Sequence, residues 1–197
     1  MTKEWEKDQE WEANWWGDCV NIYGEETKQR HYAERMGLLE LANSQFSFFY
    51  DLDGKSVLDI GGGPSSLLLK CVNRGRSKVV DPLKYPDWAY ARYDHAGIEW
   101  ALTKGEEVDD VDFDEVWIYN VLQHVIDPAA IIANAKRASK IIRVFEWLEI
   151  GVAPGHPHNL LEDQMNEWLG GSGKTGRSGG GKEYCGIFLG DSYKESK

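Results

Sequence analysis

From residue 55 onward the chain alternates short apolar runs with longer amphipathic stretches, which is the pattern of strands separated by helices. KSVLDIGGGPSSLLLKCV (55–72) is an apolar strand, a glycine turn and a segment that should open a helix at Pro64-Ser65. SKVVDP (77–82) is a second strand stopped by Pro82, and DWAYARYDHAG (87–97) a helix ended by Gly97. IEWAL (98–102) and DEVWIYN (114–120) read as the third and fourth strands. DPAAIIANAKRAS (127–139) is a helix capped by Asp127 with Pro128 at its first position. KIIRVFEWLEI (140–150) follows as a fifth strand, NLLEDQMNEWL (159–169) as a helix, and EYCGIFLG (183–190) as a last strand. Ahead of this, residues 3 to about 50 read as helical, and EETKQRHYAERMGLLELA (25–42) puts Tyr32, Met36 and Leu39 on one face.

Strands that alternate with helices pair in parallel through right-handed crossovers. The expected architecture is therefore α/β: a Rossmann-like, open, mostly parallel sheet of about six or seven strands with helices on both faces. No helix precedes the final strand, so that strand should close the sheet as the antiparallel member of a hairpin. Residues 1–197 read as a single domain, with a helical cap or lid at 1–50, a core at 55–150, and a late loop, helix and hairpin at 151–197.

Composition narrows what such a domain does. With 33 acidic and 22 basic residues the net charge is −11, which argues against gripping nucleic acid or an anionic membrane by bulk charge. An apolar fraction of 42% with 12% aromatics excludes a disordered chain. The N-terminus is charged from Lys3 with no apolar signal region, and no run approaches the ~20 apolar residues of a membrane span. Cys19, Cys71 and Cys185 are odd in number and widely spaced, so a disulfide framework or zinc site is not expected. These features point to a cytoplasmic location. Four of the nine tryptophans (Trp5, Trp11, Trp15 and Trp16) crowd into the first sixteen residues, which composition does not explain.

In sheets of this kind the ligand sits beyond the carboxyl ends of the strands. Those ends carry Gly61-Gly62-Gly63, Asp81, Lys104-Gly105-Glu106, Asn120 to His124, and Glu146 to His158. The glycines allow backbone to approach a ligand, and a helix opening at Pro64 would offer free amides and a positive end. The dinucleotide fingerprint fails at its third glycine, where Ser66 stands, and Asp59 lies inside the strand two positions before Gly61. A carboxylate there suits a ligand with a positive amino-acid group better than a pyrophosphate.

At these residues the chain resembles the class I S-adenosylmethionine-dependent methyltransferases, in particular the small-molecule type 11 group. VLDIGGG matches their first motif, so the resemblance assigns Asp59, Gly61, Gly62 and Gly63 to the cofactor. It also implies that Asp81, ending the second strand, holds the ribose hydroxyls and that Glu106 contacts the adenine amine. YNVLQHVIDP resembles the fourth-strand motif and places Asn120 beside the cofactor. The similarity spans about residues 55 to 150 and departs at Pro64.

Methyl transfer is an in-line displacement for which an oxygen or nitrogen acceptor must also lose a proton, and imidazole is suited to that. His156 and His158, in the GHPH loop, are candidates for base or acceptor-binding group, with a purely structural loop as the alternative. His124 lies in the LxHV motif, where packing is an equal alternative to catalysis. Two histidines plus Glu146 lack metal-ligand spacing, so no metal site is expected. Trp15, Trp16 and Glu146 are the expected acceptor-side residues. No Asn/Asp-Pro-Pro-aromatic tetrad, Pro-Cys nucleophile or paired acids follow the fourth strand, which removes DNA amino-methylation, cytosine-C5 and catechol-type chemistry. GGSGKTG (170–176) is not a P-loop, since Trp168 stands where the pattern needs glycine; the stretch reads as a mobile β-connection whose Lys174, Arg177 and Lys182 either meet an anionic group or are solvated.

The N-terminal tryptophans have three readings: amphipathic packing over the sheet, a lid over the cleft, or a protein contact. Residues 1–40 hold 5 basic and 10 acidic side chains, which does not fit a membrane-surface helix. The function expected is methyl transfer to a small molecule, with S-adenosylmethionine as cofactor. The alternatives are a non-catalytic protein that binds S-adenosylmethionine or S-adenosylhomocysteine and acts through a partner, or an enzyme that degrades S-adenosylmethionine. Oligomeric state and acceptor identity are not legible.

Overall fold

A computed structural model describes residues 3–41 and 48–194. Its main sheet has seven strands: β1 (Val57–Ile60), β2 (Ser77–Asp81), β3 (Glu99–Leu102), β4 (Phe113–Tyr119), β5 (Ser139–Leu148), β6 (Lys174–Ser178) and β7 (Gly181–Leu189). They lie in the order β3-β2-β1-β4-β5-β7-β6. The first five are mutually parallel, with Leu58 of β1 set between Lys78 and Val116. The expected Rossmann-like, mostly parallel sheet is present, and its last two strands form the antiparallel hairpin, β7 on β5 and β6 on β7.

The two-residue periodicity of the central strands decides which helix covers which face. Leu58, Ile60, Val116, Ile118, Ile142 and Val144 point into one core, closed by α4 (Pro128–Ala138) and α5 (Glu162–Leu169). Their neighbours Val57, Val79, Trp117, Tyr119 and Phe145 point to the other, covered by α2 (Ile22–Arg35) and α3 (Asp87–Ala96). Local signals hold where they were strong. Asp127 accepts from the Ala130 amide at 3.1 Å to cap α4, and Gly97 ends α3 in the left-handed conformation.

Three expectations need correction. No α-helix opens at Pro64-Ser65. Ser66 instead caps a single 3₁₀ turn (Leu67–Lys70), after which Cys71–Val72 pairs with Tyr50–Asp51 in a small separate ladder. The Arg74 guanidinium takes the carbonyls of Leu68 and Cys71 at 2.9 and 2.8 Å, acceptors that a continuing helix would need for its own amides. The N-terminal region is not one continuous helix. α1 (Lys3–Trp16) is separated from α2 by a turn in which Gly17 and Cys19 have positive φ. Leu39 lies beyond the end of α2 and is 69% exposed, so it does not share the buried face of Tyr32 and Met36; the expectation of helix over 42–47 lies outside the described residues. Finally, the glycine-rich stretch 170–182, read as a mobile β-connection into the closing hairpin, itself supplies a strand of the sheet, β6, whose residues pair with β7 from Lys174↔Cys185 to Ser178↔Gly181. A two-residue Gly179-Gly180 turn makes the hairpin. No helix among the described residues is long and apolar enough to cross a membrane.

A buried ion pair fastens the helical cap to the sheet. Arg143 on β5 grips Glu115 on β4 through Nε (2.6 Å) and Nη2 (3.0 Å), and its Nη1 donates to the Met36 carbonyl just past α2 (2.7 Å). Burial alone would raise the Glu115 carboxyl, but Arg143 and the Trp117 indole outweigh it and hold it below the ordinary carboxylate range. Arg143→Ala would leave that charge buried without its partner, and should lower unfolding free energy by about 3–5 kcal/mol in urea titrations. A loss below about 1 kcal/mol would show the pair to be solvated.

Candidate functional site

A cavity of about 510 Å³ opens at the carboxyl ends of the parallel strands and is roofed by α1. Its floor is the glycine turn. Gly61 and Gly63 have φ of +76° and +60°, and both line the cavity. A Cβ at Gly61 would lie 2.5 Å from the Val121 side chain, and one at Gly62 would lie 2.6 Å from Asp59 Oδ2, so only glycine lets the turn pack here. Gly62 itself faces Asp59 and not the cavity.

The carboxylates sort into two kinds. Asp81 and Glu106 line the cavity; Asp59 and Glu146 lie beneath it. Asp59, with 0% exposure, accepts on Oδ2 from the Ser66 and Tyr119 hydroxyls, while its Oδ1 has no partner among the described residues. Burial pushes its carboxyl up to about 7 against those two hydrogen bonds. Asp81 accepts from the Leu83 amide (2.9 Å), the Tyr85 hydroxyl (3.1 Å) and the Gly63 amide (3.2 Å), and burial lifts it to about 6. Glu146 accepts from the Val121 and Leu122 amides, both at 3.0 Å, and burial raises it to about 7. It therefore supports the turn after β4 from below. Glu106 accepts from the Ile126 and Asp127 amides at 2.8 and 3.0 Å, which ties β3's end to the start of α4.

The amides of Ser66, Leu67 and Leu68, expected to be free after the glycine turn, are already used, that of Leu68 by Ser66 Oγ. Ser66 N donates to the Tyr93 hydroxyl (2.8 Å) and Leu67 N to the Tyr119 hydroxyl (3.0 Å), while Tyr93 donates to the Gly63 carbonyl (2.7 Å). The glycine turn is followed by a 3₁₀ turn, so no α-helix N-terminus stands directly after it.

The far side of the cavity is built from α1 and two loops. Asn120, at φ +57°, lines the cavity and accepts from Gln123 Nε2 at 3.0 Å. His124 Nδ1 lies 2.9 Å from Glu12 Oε1 and 2.7 Å from the Gly155 carbonyl, and its Nε2 lies 3.0 Å from Gln123 Nε2. Burial disfavours the charged form of His124, but the hydrogen bond and charge of Glu12 outweigh it, so the imidazole is raised. The His156 ring sits 4.5 Å from that of His124 and 6.1 Å from Trp11; burial and His124 lower it. His158 does not line the cavity: its Nε2 meets the Val125 carbonyl at 2.9 Å and its amide donates to Gln123. Trp15 and Trp16 line the cavity edge to face, 4.8 Å apart.

Sequence reasoning missed Gln9 and Glu12, which also line the cavity, as do Trp5 and Trp11, which it had placed there only under the lid reading of the N-terminal tryptophans. A signal was available: Trp5, Gln9, Glu12 and Trp16 recur at helical spacing and form one face of α1. It also missed Tyr85, Gln123 and Trp147, which no local pattern marks.

No family model matches the chain, and no curated protein does. Solved structures do match in fold. Over 96% of this chain and 91% of the other, with a TM-score of 0.64 and 14% identity, it is similar to the 1,6-didemethyltoxoflavin-N1-methyltransferase of Burkholderia thailandensis, solved with bound 1,6-didemethyltoxoflavin and S-adenosylhomocysteine. Over 97% and 86%, with a TM-score of 0.58 and 13% identity, it is similar to the magnesium protoporphyrin IX methyltransferase of Synechocystis PCC 6803 with bound S-adenosylmethionine. The match to the YcgJ protein of Bacillus subtilis takes in 59% of this chain and 60% of that one, at a TM-score of 0.50 and 16% identity. The chain has the class I S-adenosylmethionine-dependent methyltransferase fold.

The buried carboxyls make stability depend on pH in a definite direction. Asp59, Asp81 and Glu146 are all raised in the folded chain, so their contribution is full below the ordinary carboxylate range and is lost as pH rises from about 4 towards about 7. Asp59→Asn removes one such group. Its stability relative to the parent should rise by about 1–3 kcal/mol between pH 5 and pH 8 in urea titrations. Parallel pH profiles for the two proteins would remove Asp59 from this account.

Proposed function

We propose that the chain transfers a methyl group from S-adenosylmethionine to an oxygen or nitrogen of a small-molecule acceptor. The observation that carries this is one cavity walled on one side by Gly61, Gly63, Asp81, Glu106 and Asn120 and on the other by His124, His156 and the α1 tryptophans.

The residues fit the cofactor in three respects. The Asp81 carboxylate has about four acceptor positions and three protein donors, which leaves room for a ribose hydroxyl. Asp59 Oδ1 is buried without a partner, under the glycine turn where the amino-acid end would lie. A Cβ at Gly63 would meet nothing nearer than Trp16 at 3.6 Å, so the backbone there is open to a ligand. In this reading Asp81 holds the ribose, Glu106 the adenine end, and Asn120 the side nearest the acceptor. Bound S-adenosylmethionine supplies an electrophilic methyl on a cationic sulfur.

The chain's own work is then positioning and exclusion of water. Aromatic faces on α1 and the acids Glu12, Asp81 and Glu106 make a wall that favours cationic and planar groups. Lys28 and Lys104 also line it but are paired, Lys28 with Glu25 at 2.6 Å and Lys104 with Glu107 at 2.7 Å. His156 and His124 are the polar groups that orient the acceptor against the methyl, and alignment in a closed site is the main source of rate in an in-line displacement. His158, engaged with Val125, holds the loop that presents His156.

Calorimetry with S-adenosylhomocysteine is the direct test. The parent chain should bind it, and Asp81→Ala should bind about 10- to 100-fold more weakly, the worth of one charged hydrogen-bonding partner. Absence of binding sinks the cofactor assignment, and equal affinity removes Asp81 from the site. Labelled S-adenosylmethionine incubated with chain and a metabolite extract should yield a labelled small molecule, where a non-catalytic binder yields none.

A further inference from the structure

We infer that Glu12, His124 and His156 form a site for one divalent transition-metal cation at the junction of α1 with the sheet. Each offers one ligand atom, and these atoms lie within 4.8 Å of one another. Two imidazoles and a carboxylate on one side of the ion, with the remaining positions open, is a donor set suited to zinc, manganese, iron or cobalt. The sequence reading expected no metal because it paired the GHPH histidines with Glu146, which lies under the cavity holding two backbone amides. The carboxylate comes instead from the far N-terminal helix.

The three positions are fixed by contacts outside the trio. α1 is docked on the 153–156 loop by Asp8, which accepts from the Gly155 amide at 2.9 Å, and by Trp11, packed so closely that a Cβ at Gly155 would lie 2.4 Å from its ring. Ala153 and His156 exchange backbone hydrogen bonds at 2.8 and 3.1 Å, and the His124 amide donates to Val121 at 2.9 Å. Glu12 Oε1 lies 2.9 Å from His124 Nδ1, and the Gly155 carbonyl, 2.7 Å from the same nitrogen, gives up its hydrogen bond when a cation takes the place of the proton. Metal–ligand bonds of about 2.0–2.2 Å need ligand atoms roughly 3–3.5 Å apart. Rotation of the His156 ring, which makes no hydrogen bond among the described residues, closes the set.

A second observation points the same way. Gln123 is 1% exposed, lines the cavity, and has an unpartnered Oε1, while its Nε2 sits 3.0 Å from His124 Nε2. A cation on His124 Nδ1 puts the ring proton on Nε2. Turning the Gln123 amide end for end then sets its oxygen against that N–H, the second-layer acceptor that a metal-bound imidazole uses, and the Asn120 amide, whose Oδ1 now accepts from Gln123 Nε2, turns with it so that its Nδ2 donates to the same oxygen. Under the methyl-transfer reading, which the site itself does not need, the open positions of the cation face the cavity and hold an acceptor oxygen.

The test uses the full chain after chelator treatment, without S-adenosylmethionine, titrated in turn with Zn²⁺, Mn²⁺ and Co²⁺ by calorimetry, with the visible absorption of Co²⁺ as a second readout. One equivalent should bind with at least one of the three. Glu12→Gln and His156→Asn, each checked for folding by circular dichroism, should weaken it by at least about 10-fold. His95→Ala, at an exposed histidine on α3, should leave it unchanged. Glu12→Gln alters only a side chain of the covering helix, so it keeps the test valid if His156→Asn unfolds the chain. No saturable binding of any of the three ions, or equal binding by Glu12→Gln and the parent, overturns the site. Since the titration involves no cofactor, its failure leaves the methyl-transfer reading standing, and the failure of that reading leaves the titration interpretable.

Discussion

The carboxyl edge of this sheet depends on buried carboxylates that pair with the groups turning the chain there. A parallel strand must end and reverse direction within a few residues, which strips backbone amides of their ladder partners inside a site shielded from water. Glu146, at the end of β5, accepts the amides of Val121 and Leu122 and so fixes the turn after β4. Asp59, at the end of β1, accepts the Ser66 and Tyr119 hydroxyls, and Tyr119 in turn accepts the Leu67 amide. Each carboxylate is deeply buried and raised, so it carries strain in its ionised form. That is the cost of turns tight enough to place Gly61, Asn120 and His124 on one rim.

The glycine turn shows how the same edge is completed without a following α-helix. Tyrosines take over the role of helical hydrogen bonding: Tyr93 and Tyr119 bind the amides of Ser66 and Leu67, and Gln29 from α2 donates to the Ser65 carbonyl. The turn is thereby supported by α2, α3 and β4 instead of by its own continuation. The rim is left with backbone flatness at Gly61 and Gly63 and with side-chain carboxylates, rather than with a positive helix end, as its means of meeting a ligand.

α1 closes the cavity although its sequence is a poor core helix, acidic and aromatic together. Its attachment is polar as much as apolar: Asp8 to Gly155, Gln9 to the His124 carbonyl, and Glu12 to His124. The tryptophans fill the space between these bonds. Trp16 packs edge to face on Tyr85 at 6.1 Å, which is itself hydrogen-bonded to Asp81. The helix is therefore joined to the candidate ligand wall and to the histidine loops at once.

Local order was legible in the chain. Short apolar runs marked β1, β2, β4 and β5, Asp127 and Pro128 marked the start of α4, and Gly97 marked the end of α3, because each of these signals rests on atoms within a few residues of one another. The glycine turn and the acid ending β2 were legible for the same reason. What only the tertiary structure decided was which groups meet. Leu67–Lys70 forms one turn and stops where Arg74 takes the carbonyls of Leu68 and Cys71, and Lys174–Ser178 is a strand because β7 offers it an edge. Asp59 and Glu146 sit below the cavity while Asp81 and Glu106 line it, although all four end or follow strands. Glu12, His124 and His156 come together from three distant stretches. Sequence patterns report the periodicity of a single element, whereas burial, cavity walls and side-chain constellations are set by long-range packing that no single stretch encodes.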